Sequence, residues 1–158
     1  HDAVVQSSGS YPSYSVRGWT DLGMPKVTYA MQFPDVVNVE GTTDGFLDSF
    51  LRGNRDDQPR RSEGSILQAL NLMNSPIIES RLAVTGGAAS QLMVQAVGLN
   101  NTDAVNRLYL TILSRYPSED EKSKALASLP TGTSAARTSA LQDLAWSLYN
   151  KVDFVFNY

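Results

Sequence analysis

The chain has no cysteine and one histidine, His1, among its 158 residues. The first absence removes disulfides, thiol nucleophiles, thiolate zinc sites and the C-x-x-C-H attachment of c-type haem, so stability must come from packing. The second leaves a Ser-His-Asp triad or a histidine-rich metal site dependent on the terminal residue, and both are set aside. HDAVVQ itself reads either as a tag remnant or as the cut end of a native helix. A strong charge of one sign is also missing. Thirteen Lys plus Arg against 16 Asp plus Glu give a net charge of -3, which excludes a broad basic field and with it sequence-independent grip on nucleic acid phosphates. No apolar run approaches the roughly 20 residues that span a bilayer, and no charged-then-apolar leader opens the chain, so membrane insertion is not expected. Charged residues are scarce altogether: at 18% they fall below the ordinary quarter, and part of the surface is expected to face other protein.

What is present divides near Thr43. The length suits one compact domain over 1–158. Residues 10 to 43 hold Gly, Pro, Ser and many aromatics, with Tyr11, Tyr14, Trp19, Tyr29 and Phe33 at no clean helical period. This predicts an aromatic-rich irregular N-terminal arm over 1–43, with short extended pieces such as Val27 to Met31, lying across a helical body through its rings. Sugar stacking by Trp19 is the functional alternative to packing.

From Asp44 to Tyr158 the periods are helical. Phe46, Leu47, Phe50 and Leu51 share one face of a short helix that stops at Gly53. Ser62 with Glu63 and Ser65 can start the next, where Ile66, Leu67, Leu70 and Met73 make a stripe until Ser75-Pro76. Ile77, Ile78 and Leu82 follow, then a turn at Gly86-Gly87, which lacks the lysine of a phosphate loop. Leu92, Met93, Ala96 and Val97 precede the clearest stripe, Val105, Leu108, Tyr109, Ile112 and Leu113. Ser118 and Glu121 have the spacing of a capping box, which starts a helix burying Ala125, Leu126 and Leu129. A last helix carries Leu141, Leu144, Ala145, Leu148 and Val152, with Trp146 as a core anchor and the tail from Phe154 to Phe156 docked. Met73 and Met93 are read as core fillers, and Thr102, within Asn100-Asn101-Thr102, as a helix cap or part of a glycosylation acceptor. The expected fold is mainly α: an irregular bundle of about six to seven short helices, without a regular repeat.

The charged knot between the first two of these helices is the one stretch specified beyond ordinary folding. Arg52, Arg55, Arg60 and Arg61 interleave with Asp56, Asp57 and Glu63. The preferred reading is a salt-bridged connector, each exposed pair contributing at most about 1 kcal/mol. The functional reading is an anion site for sulfate, uronate or phosphate, with Arg55, Arg60 and Arg61 as donors beside the acidic partners Asp56, Asp57 and Glu63, and the following helix N-terminus adding positive potential. Asn54 with the same acids lacks the glycine and glutamate positions of an EF-hand. Adjacent Asp56 and Asp57 do not make an acid-base pair legible without their separation. No metal, no cofactor and no catalytic residue is expected.

The runs LDSFLRGNRDDQPRRSEGSILQALNLMNSP, NRLYLTILSRYPSEDEKSKAL and LQDLAWSLYNKVDFVFNY, in that order and spacing, resemble the C-terminal domain of unknown function of large planctomycete- and acidobacterial-type extracytoplasmic proteins. The resemblance covers most of Asp44 to Tyr158 and extends weakly to HDAVVQSSG, a truncated helix start in that family. It implies a C-terminal fragment of a multidomain secreted or periplasmic protein in which a cytochrome c domain and another uncharacterised domain often precede this one, sometimes with a carbohydrate-binding insert. Many relatives carry cysteines in the charged loop, where this chain has Asp56-Asp57-Gln58-Pro59-Arg60, so a thiol or metal role does not carry over.

Two function classes remain open. One is a non-catalytic helical interaction module that docks other domains of the same polypeptide or a protein partner. The other is part of a carbohydrate-active or redox enzyme whose arginine-rich loop binds an anionic ligand, with carbohydrate or a simple anion as the candidate.

Overall fold

The computed structural model describes residues 1–16, 22–33, 42–50, 66–86 and 89–155, with the backbone alone at residues 42, 44, 66 and 67. The fold is mainly helical, an all-α bundle. Its centre is α6, Asn101–Leu113, whose face of Ala104, Val105, Leu108, Tyr109 and Ile112 is wholly buried. The helix forms as its pattern predicts because apolar residues three and four apart make one stripe. It starts at Asn100, whose side chain accepts the Asp103 N–H at 2.9 Å, so the cap is Asn100 and not Thr102.

Around it pack α1 (Asp2–Ser8), α5 (Gln91–Gly98), α7 (Glu119–Ser128), α8 (Ala135–Tyr149) and the one-turn α9 (Val152–Val155). The pair α2 (Thr42–Ser49) and α3 (Ile66–Asn74) joins through α4 (Pro76–Ser80), which in turn lies on α8. The capping box at α7 is as its spacing predicts: Glu121 N–H donates to Ser118 Oγ at 3.3 Å, and Ser118 N–H donates to the Glu121 carboxylate at 2.9 Å. Ser75 caps α4, accepting the Ile77 N–H at 3.2 Å, with Pro76 in the first helical position where its missing N–H costs nothing.

Four expectations change. The first 43 residues are not irregular throughout, because Asp2–Ser8 is a helix with Val4 and Val5 in the interior. The arm proper begins at Gly9; its described residues contain one bridge, Tyr14 to Val27, followed by a 3-10 turn at Ala30–Gln32 where extended chain was expected. Among the described side chains of α3 Leu72 is buried, while Leu70 and Met73 are exposed. Gln68, Asn71 and Asn74 mark the polar side of this helix, and burial follows its contacts with α2 and α4 instead of the middle of its apolar stripe. Finally, α8 stops at Tyr149, and Val152 begins α9 at 62% exposure instead of extending the buried stripe. Trp146 is half-buried, its indole N–H donating to the Met73 carbonyl at 3.2 Å.

The described rings of the arm meet one another and the terminal histidine, and Phe33 also packs against the core. Tyr14 meets Phe33 edge-on at 5.5 Å and His1 at 5.7 Å, and Tyr11 meets Tyr29 at 6.5 Å. Asp2 fastens the 3-10 turn by accepting the backbone N–H groups of Ala30 at 2.6 Å and Met31 at 3.0 Å. No helix among the described residues is long and apolar enough to cross a membrane.

Candidate anion site

Three helix ends converge on one cavity. The first is the C-terminus of α1, which closes on Gly9 at φ 65° with its N–H donating to the Val5 carbonyl at 3.2 Å. Glycine is required there twice over: the left-handed backbone disfavours a side chain, and a Cβ would stand 2.9 Å from Gln91 Cβ. The second is the N-terminus of α5, capped by Ser90. Its hydroxyl accepts the Met93 N–H at 3.3 Å and donates to the Ser8 carbonyl at 2.9 Å, while its own N–H donates to Ala83 O at 2.8 Å. Ser90 is wholly buried, so one hydroxyl staples α1 to α5. The third is the C-terminus of α4, where Arg81 is the cap and its N–H donates to Ile78 O at 3.0 Å.

The open cavity between these ends has a volume of about 420 Å³ and is lined by Gly9, Ser10, Tyr11, Pro12, Arg81 and Gln91, among others. Arg81 is 7% exposed, yet among the described residues its side chain makes one hydrogen bond, from Nη1 to Ser10 Oγ at 3.3 Å. Its Nε is buried without an acceptor, and no carboxylate among the described residues pairs with it. A buried polar group left without a partner costs roughly 1–3 kcal/mol, more when it is charged.

The second buried arginine shows what satisfaction looks like in the same molecule. Arg137, 2% exposed, donates from Nε to Asn101 Oδ1 at 2.7 Å, from Nη1 to Val97 O at 2.9 Å and from Nη2 to Leu99 O at 2.6 Å. It consumes the carbonyls orphaned at the end of α5, where a cation also suits the helix dipole. Asn101 is held in turn by donating to Leu129 O at 3.4 Å and Pro130 O at 3.2 Å. Arg137 is therefore a structural brace. Arg81 is a cation with donors left over at the wall of a cavity.

Near Arg81 the phenol of Tyr149 is pushed up to about 12 by burial, with its bond to Ser7 Oγ at 3.0 Å and the Arg81 charge pulling the other way. Tyr149 stays a neutral hydroxyl at physiological pH and supplies no counter-charge.

His1 also has partners that the sequence reading did not anticipate. Its Nδ1 lies 2.6 Å from Asp2 Oδ1 and its Nε2 2.9 Å from Tyr14 Oη, which accepts from Thr43 Oγ1 at 3.4 Å. The histidine side chain is 1% exposed, and Asp2 is already held by two backbone donors. This arrangement ties the arm to α1 and offers no path for a substrate to the ring.

The candidates read from the sequence, Arg55, Arg60, Arg61, Asp56, Asp57, Glu63 and Trp19, all lie outside the described residues. Arg81 and Arg137 were missed by periodicity, which looks only for apolar faces. A signal existed for Arg81: it is the lone cation between Arg61 and Arg107, in a run otherwise dominated by apolar and small residues. No family model, no curated protein and no solved structure matches the chain.

Proposed function

We propose that this chain is a non-catalytic helical binding module, which docks a partner by holding an anionic group against Arg81. Its setting, on the resemblance of its helical segments, is a large extracytoplasmic multidomain protein, and its partner is another domain of that polypeptide or a separate protein. The observation that carries the reading is the buried Arg81 guanidinium at the wall of an open cavity, with Nε unpartnered and one long hydrogen bond among the described residues. A desolvated cation without a counter-ion is costly to keep. An arriving anion would make charge-assisted bonds to Arg81 donors that the described residues leave unused.

The test is thermal unfolding of the 158-residue chain with acetate, benzoate, phosphate and sulfate at constant ionic strength, beside Arg81→Gln. A ligand at one hundred times its dissociation constant stabilises by about 2.7 kcal/mol, which in a domain of this size raises the midpoint by several degrees. We expect such a saturable rise in the wild type and none in Arg81→Gln. A wild-type midpoint unmoved by every anion contradicts the proposal.

A further inference from the structure

We infer that the Arg81 cavity takes a single carboxylate carried on an apolar or aromatic body, in preference to phosphate or sulfate; this rests on the reading of the cavity as an anion site. Charge is the first reason. Arg81 is the only charged side chain among the cavity's described lining residues, Ser10, Tyr11 and Gln91 being neutral. One negative charge balances it, whereas a doubly charged anion leaves an unpaired charge in a desolvated place.

Geometry is the second reason. Nη1 is engaged with Ser10 Oγ, so the guanidinium edge formed by Nε and Nη2 carries no acceptor among the described residues. Nε is enclosed, so once the side chain turns toward the cavity that edge would offer two parallel N–H groups in one plane, matching the two oxygens of a carboxylate side-on. A tetrahedral anion presents a third and fourth oxygen that need donors out of that plane. The bond to Ser10, at 3.3 Å, is long enough to yield as the guanidinium turns toward a ligand.

The third reason is the rest of the wall. Tyr11 and Pro12 contribute apolar surface to the same cavity. Tyr11 is 52% exposed, so its ring has area left to cover a ligand. A volume of about 420 Å³ is far more than acetate fills and lies within the range of small-molecule sites. Gln91, in the first turn of α5, adds an amide on the same wall, where the helix end also favours negative charge.

The same carboxylate chemistry could come from a free small acid or from the end of a polypeptide, and titration calorimetry on the whole chain separates the two. The probes are benzoate, N-acetylphenylalanine, their uncharged amides, inorganic phosphate and sulfate. Both carboxylates are expected to bind saturably and both amides not at all; the tighter of the two carboxylates identifies the source. Arg81→Lys keeps the charge but loses the fork, and should weaken benzoate about tenfold or more. Tyr11→Ala, at a half-exposed position, should weaken benzoate and leave acetate, titrated alongside it, unchanged, and it decides the matter if Arg81→Lys does not fold. Phosphate or sulfate binding as tightly as benzoate overturns the carboxylate inference while leaving an anion site in place. Binding of no probe overturns both, and benzoate binding unaffected by either variant places the ligand elsewhere and overturns the inference.

Discussion

Arg115 forks onto Glu121, Nη1 meeting Oε2 at 2.8 Å and Nη2 meeting Oε1 at 2.9 Å. The pair sits where α6, α7 and α9 meet. Arg115 also reaches Asp153 at 2.7 Å, Lys151 bonds Glu121 Oε1, and both cations lie just under 6 Å from the Tyr109 ring. Glu121 therefore caps α7 and joins three elements at once. The Arg115 hydrogen bonds hold its carboxyl well below the usual carboxylate range, with Lys151 and the Ser118 N–H adding to the effect against partial burial.

A depressed carboxylate contributes stability that is complete above its unfolded pKa, roughly 4.3, and is lost as pH falls from there toward the folded value. Glu121→Gln should cost about 1–2 kcal/mol at neutral pH, a modest figure because Arg115 and Lys151 are more than a third exposed and solvent screens them. Urea unfolding followed from pH 7 to pH 3 should show the wild type losing its advantage over the variant on the acid side. Parallel curves would exclude this role.

Arg137 should be far less forgiving. Replacing it with Met removes three hydrogen bonds at once and strands the carbonyls of Val97 and Leu99 at the end of α5. A loss of about 2–4 kcal/mol is expected in urea unfolding. Arg81→Met, by contrast, removes a cation that the protein itself leaves under-satisfied, and should cost less.

Gly9 is fixed by both its dihedral and its neighbour. Gly9→Ala should lose about 1–3 kcal/mol, combining left-handed strain with the clash on Gln91. Because both residues line the cavity, the variant should also bind anions more weakly than wild type, measurable in the same thermal-shift series.

Tyr149, pushed up to about 12 chiefly by burial, predicts an alkaline limb. A phenol whose folded pKa is raised contributes stability that is complete below its unfolded value near 10 and is lost as pH rises toward the folded one. Ultraviolet titration of the seven tyrosines should show Tyr149 ionising late, with Tyr109 also raised by burial, and Tyr149→Phe should remove one late step. The variant's own cost should be small, about 0.5–1.5 kcal/mol for the bond to Ser7.

Much of the body was legible before the structure. Val105, Leu108, Tyr109 and Ile112 are buried as their spacing predicts, and Ser118 with Glu121 forms the box that three-residue spacing promises. These succeed because period and capping are local physics. On α3 an apolar stripe was readable, but which part of it is buried depends on packing against α2 and α4, and the break before Val152 comes where Asn150 caps α8, its side-chain amide donating to Trp146 O at 2.8 Å. The Arg81 cavity was illegible for a different reason. Its walls come from residues 9–12, 81 and 89–91, brought together only when Ser90 staples α5 to α1.

The most direct test of Arg81 as a binding group is its own side-chain signal. In nitrogen-15 NMR of the whole chain, the Nε–H resonance of Arg81, assigned by its loss in Arg81→Lys, is followed during a benzoate titration. A saturable shift of that resonance, with slowed exchange and accompanying movement of the Ser10 and Gln91 amides, is the predicted result. A resonance that stays in place at saturating benzoate, or shifts confined to other arginines, would contradict the account.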